Sequence, residues 1–120
     1  MLTTGLGDEI TISDLPEGYS QYFAVDATMG QRITAAVYGI SAGEDWSLFI
    51  YNSGKEIMAS SFHSGSTYEY CTYTVQSAGR YTIRVKALSV GGTSSSCKFK
   101  VIKYNPAGGM SSCSDYSQIS

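Results

Sequence analysis

From Ile10 to Tyr104 apolar and polar positions alternate in short runs broken by Gly, Pro, Asn and Ser, the period-two signature of half-buried strands. The most informative run is Asp45 to Tyr51, which carries the single tryptophan. Alternation puts Trp46, Leu48 and Ile50 on one face and Asp45, Ser47, Phe49 and Tyr51 on the other. The first set reads as core, the second as a candidate working surface, and the run as the central strand of the fold. Arg80 to Ala87 is the cleanest amphipathic strand, with Tyr81, Ile83 and Val85 inward and Arg80, Thr82, Arg84 and Lys86 toward water.

The same reading places strands at Asp8 to Ser13, Tyr19 to Asp26, Gln31 to Tyr38, Lys55 to Phe62, Thr67 to Val75 and Cys97 to Tyr104. Lys98, Lys100 and Lys103 would give the last of these the charges that protect a sheet edge. Turns fall at Leu15-Pro16-Glu17-Gly18, Thr28-Met29-Gly30 and Ala78-Gly79, and at Asn52 to Gly54, where Asn and Gly accept positive φ. No stretch has a helical period. About eight short strands at regular spacing predict an all-β fold, a two-sheet antiparallel β-sandwich of jelly-roll type. Residues 1–7 read as a flexible lead, 8–104 as the sandwich domain, and 105–120 as a flexible tail or linker.

Composition narrows the function. At 120 residues the chain is one domain, and its 15% charged residues fall well below the usual ~25%. Ser, Thr, Gly and ten Tyr take their place. A net charge of −2 without a basic cluster argues against nucleic acid, and no apolar run is long enough for membrane insertion. The start, Met-Leu-Thr-Thr-Gly, lacks the features of a secretory signal. The expectation is a cytosolic protein or the mature part of an exported one, and the Ser/Thr/Tyr richness favours the second.

Taken in order, Tyr22-Phe23-Ala24-Val25, Gly30-Gln31-Arg32-Ile33, Asp45 to Tyr51 with Asn52-Ser53-Gly54, and Gly79-Arg80-Tyr81-Thr82-Ile83-Arg84-Val85 resemble the bacterial pre-peptidase C-terminal domain across residues 8–104. The resemblance implies a jelly-roll sandwich appended to a secreted bacterial hydrolase, often a peptidase, and a non-catalytic accessory role similar to that of clostridial collagen-binding modules. Two positions depart from the pattern. The collagen-binding relatives hold calcium through acidic and Asn residues ahead of the first strand, where this chain has only Asp8 and Glu9. Ser47 stands where the family's central strand usually carries a second acid.

Candidate chemistry is sparse. Gly39-Ile40-Ser41-Ala42-Gly43 matches the nucleophile-elbow pattern, but a strand follows it where that mechanism needs a helix, so it reads as a Gly-rich loop and no enzyme is expected. His63 is the only histidine and lies in a loop, too isolated for zinc. No cofactor is expected. Calcium would have only Asp8, Glu9, Asp14, Glu44 and Asp45 to draw on, in no EF-hand spacing. Cys71 and Cys97 share the inward parity, as buried thiols or as a bridge across the core, and Cys113 lies in the tail.

The aromatic residues of outward parity, Tyr38, Phe49, Tyr51, Tyr68 and Tyr70, form the candidate ligand-binding set, since flat rings beside hydroxyls and amides suit sugars or extended peptides. The functional expectation is an accessory module, secreted or at the cell surface, that adheres to a polymeric protein or polysaccharide. The alternative is a structural spacer or folding-assistance domain with no ligand of its own.

Overall fold

The alternating runs become nine strands in a computed structural model that describes residues 2–3, 9–62 and 67–105. They are β1 (Leu2–Thr3), β2 (Ile10–Pro16), β3 (Ser20–Ala27), β4 (Arg32–Tyr38), β5 (Asp45–Tyr51), β6 (Ile57–Ser61), β7 (Glu69–Thr74), β8 (Gly79–Ser89) and β9 (Ser94–Tyr104). Eight are antiparallel and make two four-stranded sheets, β3-β8-β5-β6 and β2-β9-β4-β7, while β1 pairs in parallel with β3. The pairs nest: β5 with β6, β4 with β7, β3 with β8 and β2 with β9. The chain is doubled back at residues 52–56 and rolled up, which is the jelly-roll arrangement. Of the expected flexible segments, residues 1, 4–7 and 106–120 lie outside the described residues, while Leu2–Thr3 of the lead form β1.

Two placements differ from expectation for one reason: alternation reveals the faces of a strand but not its neighbours. Trp46, Leu48 and Ile50 are fully buried as read, and β5 is an inner strand between β8 and β6, but with β1 counted β8 is the middle strand of the five. β9 lies between β2 and β4, so its lysines guard no edge. The two 11-residue strands, β8 and β9, are thus interior to their sheets. A third difference is a bulge. The register of β2 on β9 shifts between Ile12 and Leu15, with Asp14 at φ 53°, so Leu15 turns inward beside Ile12 and belongs to the strand rather than to the turn.

At the fulcrum of the roll, Asn52 accepts from Lys55 N–H at 3.0 Å through its carbonyl and from Glu56 N–H at 2.9 Å through Oδ1. The residue with positive φ is Lys55, at 67°, rather than Asn52 or Gly54. Left-handed backbone costs a β-carbon residue about 1 kcal/mol that glycine avoids. Lys55→Gly is therefore expected to raise stability by up to ~1 kcal/mol in urea unfolding, and a loss of that size would refute the strain.

Between the sheets, Phe23 of β3 stacks on Phe99 of β9 with ring centroids 4.3 Å apart. Ile33, Ala35, Val37, Ile83 and Val85 complete the fully buried centre. Cys71 and Cys97 are both free and buried, on β7 and β9 of one sheet with β4 between them. Two strand spacings, about 9.6 Å, exceed the reach of a disulfide, so the cross-core bridge is ruled out. Burial pushes both thiols up to about 12, with Glu69 adding to the effect at Cys71 and Glu44 at Cys97. Neither is a nucleophile at neutral pH.

Two buried carboxylates fasten loops to this frame. Glu69 accepts from Ser61 Oγ at 2.5 Å, joining β7 to β6 across the sheets. Glu44 accepts from Ser95 Oγ at 2.5 Å and Gly91 N–H at 2.8 Å, tying the segment between β8 and β9 to the start of β5. The Ser95 hydroxyl, and then the Gly91 amide, hold its carboxyl below the ordinary value of 4.5 against the opposing effect of burial. A depressed pKa contributes stability that is present above 4.5 and lost as pH falls through the lower folded value. Glu44→Gln should thus cost about 1.5 to 3 kcal/mol at pH 7 and progressively less below pH ~4, as denaturation across pH would show. A cost independent of pH would mean the charge is not what fastens the loop.

Candidate binding face

On β3, β8 and β5 the inward residues fill the core, so the alternate residues project from the outer face of the sheet in register rows. One row is Tyr22, Arg84, Phe49 and Ser60 across β3, β8, β5 and β6. Beside it on one side run Ala24, Thr82, Tyr51 and Ile57, and on the other Ser20, Lys86 and Ser47. Asp26 and Arg80 close the end, paired at 3.0 Å.

Arg84 organises this face. Its guanidinium lies 5.8 Å from the Phe49 ring centroid and 5.9 Å from that of Tyr22, donates through Nη1 to Tyr51 Oη at 3.2 Å, and donates through Nε to Ser20 Oγ at 2.9 Å. Phe49 also packs beside Tyr51 at 6.1 Å and Phe62 at 6.4 Å, and Phe62 is 61% exposed. The side chain read as facing water is therefore half-buried among rings. Next to it lies a groove of about 610 Å³ bounded by Tyr22, Tyr51, Asn52, Ser53, Lys55, Arg80 and Thr82.

The five outward aromatics do not form one surface. Phe49 and Tyr51 belong to this face, whereas Tyr38 and Tyr70 project from the outer face of the other sheet, at the opposite side of the sandwich. There Tyr68 stacks on Tyr70 at 6.3 Å, and Tyr38 Oη donates to Glu9 at 2.6 Å. Tyr22 and Phe62, absent from the sequence-based set, join Phe49 and Tyr51. Tyr22 alternates with the buried Phe23 and Val25 along its strand, so its outward direction follows from period-two parity. Its nearness to Phe49 depends on β8 lying between β3 and β5.

The other candidates are dispersed. Ser41 lies exposed in a loop joining two strands, without the helix an elbow requires. His63, Asp8 and Cys113 lie outside the described residues. Glu9 bonds Tyr38 and sits 4.0 Å from Lys98, Asp14 occupies the β2 bulge, and Glu44 is spent on the loop. No three His, Cys, Asp or Glu converge among the described residues.

A family profile for the bacterial pre-peptidase C-terminal domain matches residues 19–87, which run through β3 to β8 and include every strand of the aromatic face. The chain belongs to that family. Among solved structures, this pre-peptidase C-terminal domain is similar to that of a collagenase from Bacillus anthracis, with 14% identity, TM-score 0.61, and 83% of this chain and 92% of that one covered. It is also similar to a surface-associated copper-binding protein of Methylomicrobium album BG8 (10% identity, TM-score 0.64, coverage 84% and 96%). A third likeness is to the periplasmic inhibitor of g-type lysozyme of Aeromonas hydrophila (11% identity, TM-score 0.57, coverage 86% and 93%). At these identities the likeness is one of fold. No curated protein matches the sequence significantly. At the position where the family's central strand usually has an acid, Ser47 faces Lys86 across the ladder, so that lysine has no carboxylate directly opposite.

Proposed function

We propose that this pre-peptidase C-terminal domain is a non-catalytic accessory module of a secreted bacterial hydrolase, adhering to a polymeric protein or polysaccharide through the outer face of β3, β8 and β5, with no cofactor of its own. The observation that carries the proposal is the packing of Tyr22, Phe49 and Tyr51 around Arg84 beside an open groove. A monomeric sheet that needed this face only for stability would gain nothing from leaving Phe62 and Tyr22 exposed on it. Family membership and a collagenase domain of the same fold support the accessory role, and a surface-associated and a periplasmic neighbour support an exported setting. Adhesion would hold a linked catalytic domain near its substrate at high effective concentration.

The test is cosedimentation of the purified chain with insoluble collagen, cellulose, chitin and peptidoglycan. Saturable retention on one of them is expected. Retention on none would leave the spacer or folding-assistance role.

A further inference from the structure

Charge on the aromatic face is unbalanced. Arg80, Arg84 and Lys86 alternate along β8 at the spacing of outward residues, about 6.8 Å per pair of positions, and Lys55 stands at the groove rim. Asp26 takes up Arg80 alone, and Glu56 is bonded to Asn52 at the turn. Lys86 stands between Ser20 and Ser47 in the ladders, and Arg84 between Tyr22 and Phe49. Among the described residues neither Arg84, Lys86 nor Lys55 meets a carboxylate. This is unusual in a chain of net charge −2. Of its other described acids, Glu44 and Glu69 are buried, Glu9 and Asp14 are on β2 or its approach in the other sheet, Glu17 accepts from Val90 N–H, and Asp45, at the start of β5, stands opposite Ser89 rather than Arg84 or Lys86.

We propose that the ligand of this face is an anionic polysaccharide whose sugars carry carboxylates, lying along β8 with rings against Tyr22 and Tyr51 and carboxylates on Arg84, Lys86 and Lys55. The inference rests on the binding role proposed above and adds the chemical class of the polymer. A guanidinium already fixed by two rings, a phenol and a serine loses little freedom on receiving a carboxylate, which favours its use as the charge reader. Flat rings match the apolar faces of sugars, and Ser53 puts a hydroxyl at the groove for ring hydroxyls.

Affinity electrophoresis of the full chain through gels containing polygalacturonate, or the same polymer fully methyl-esterified, separates charge from sugar shape. Binding to the acid form is expected to exceed that to the ester by about tenfold or more and to weaken as salt is raised. Arg84→Gln should lose about tenfold on the acid form. Lys86→Gln, which removes no described hydrogen bond, should lose several-fold and so tests the charge if Arg84→Gln unfolds. Equal binding to acid and ester, or no loss in either variant, overturns the inference. Retention only on a neutral polysaccharide or on gelatin overturns it while the binding role stands, and retention on no polymer removes both.

Discussion

Phe99→Ala is expected to cost about 4 kcal/mol, the largest loss of any single truncation considered, and to lower Tm by about 15 to 20 °C. Phe99 is completely buried, and its ring stacks on Phe23 at 4.3 Å, so the pair joins the two sheets at their centre. Collapse into the resulting cavity is restricted, because Phe99 is paired with Ile10 on one side and Val37 on the other and β9 cannot shift without breaking both ladders. Against a typical total of 5 to 15 kcal/mol this is a large fraction, and Phe99→Leu should recover most of it. Urea and thermal unfolding measure both variants. A loss below about 1 kcal/mol for Phe99→Ala would mean that the sheets are not held together through this stack.

The second large effect is on binding. The double variant Phe49→Ala, Tyr51→Ala is expected to weaken polymer retention by about a hundredfold, the consequence of removing two anchoring rings and loosening Arg84 between them. Tyr68→Ala, Tyr70→Ala, on the opposite face, should leave retention within about twofold. Both pairs lie on the solvent side of their sheets, so each should cost stability only on the order of 1 to 2 kcal/mol, far less than Phe99→Ala. Loss of retention with Tyr68 and Tyr70 and not with Phe49 and Tyr51 would transfer the site to the other sheet.

Much of this molecule was legible from periodicity. Trp46, Leu48 and Ile50, and Tyr81, Ile83 and Val85, were each separated from their outward neighbours by parity alone, because a strand has only two faces. Order within a sheet has no such local signal. Parity made Phe49 and Tyr70 equivalent, and only the nesting of β5 with β6 and β4 with β7 puts them on opposite sides. The same limit hid Arg84, whose surroundings come from β3 and β5, 62 and 35 residues away at Tyr22 and Phe49. Bulges were missed as well: one extra residue at Asp14 returned Leu15 to the core, and nothing in its own sequence beyond an Asp tolerant of positive φ announces it.

Whether the outer face of β3, β8 and β5 binds polymer is read residue by residue from backbone amide NMR shifts while soluble fragments of the polymer that retains the domain are titrated in. Saturable shifts are expected at Tyr22, Tyr51, Asn52, Thr82 and Arg84, with Thr34, Ala36, Tyr38 and Tyr70 unmoved. Shifts confined to the β4 and β7 face, or scattered over both faces without saturation, would contradict binding through the β3, β8 and β5 face.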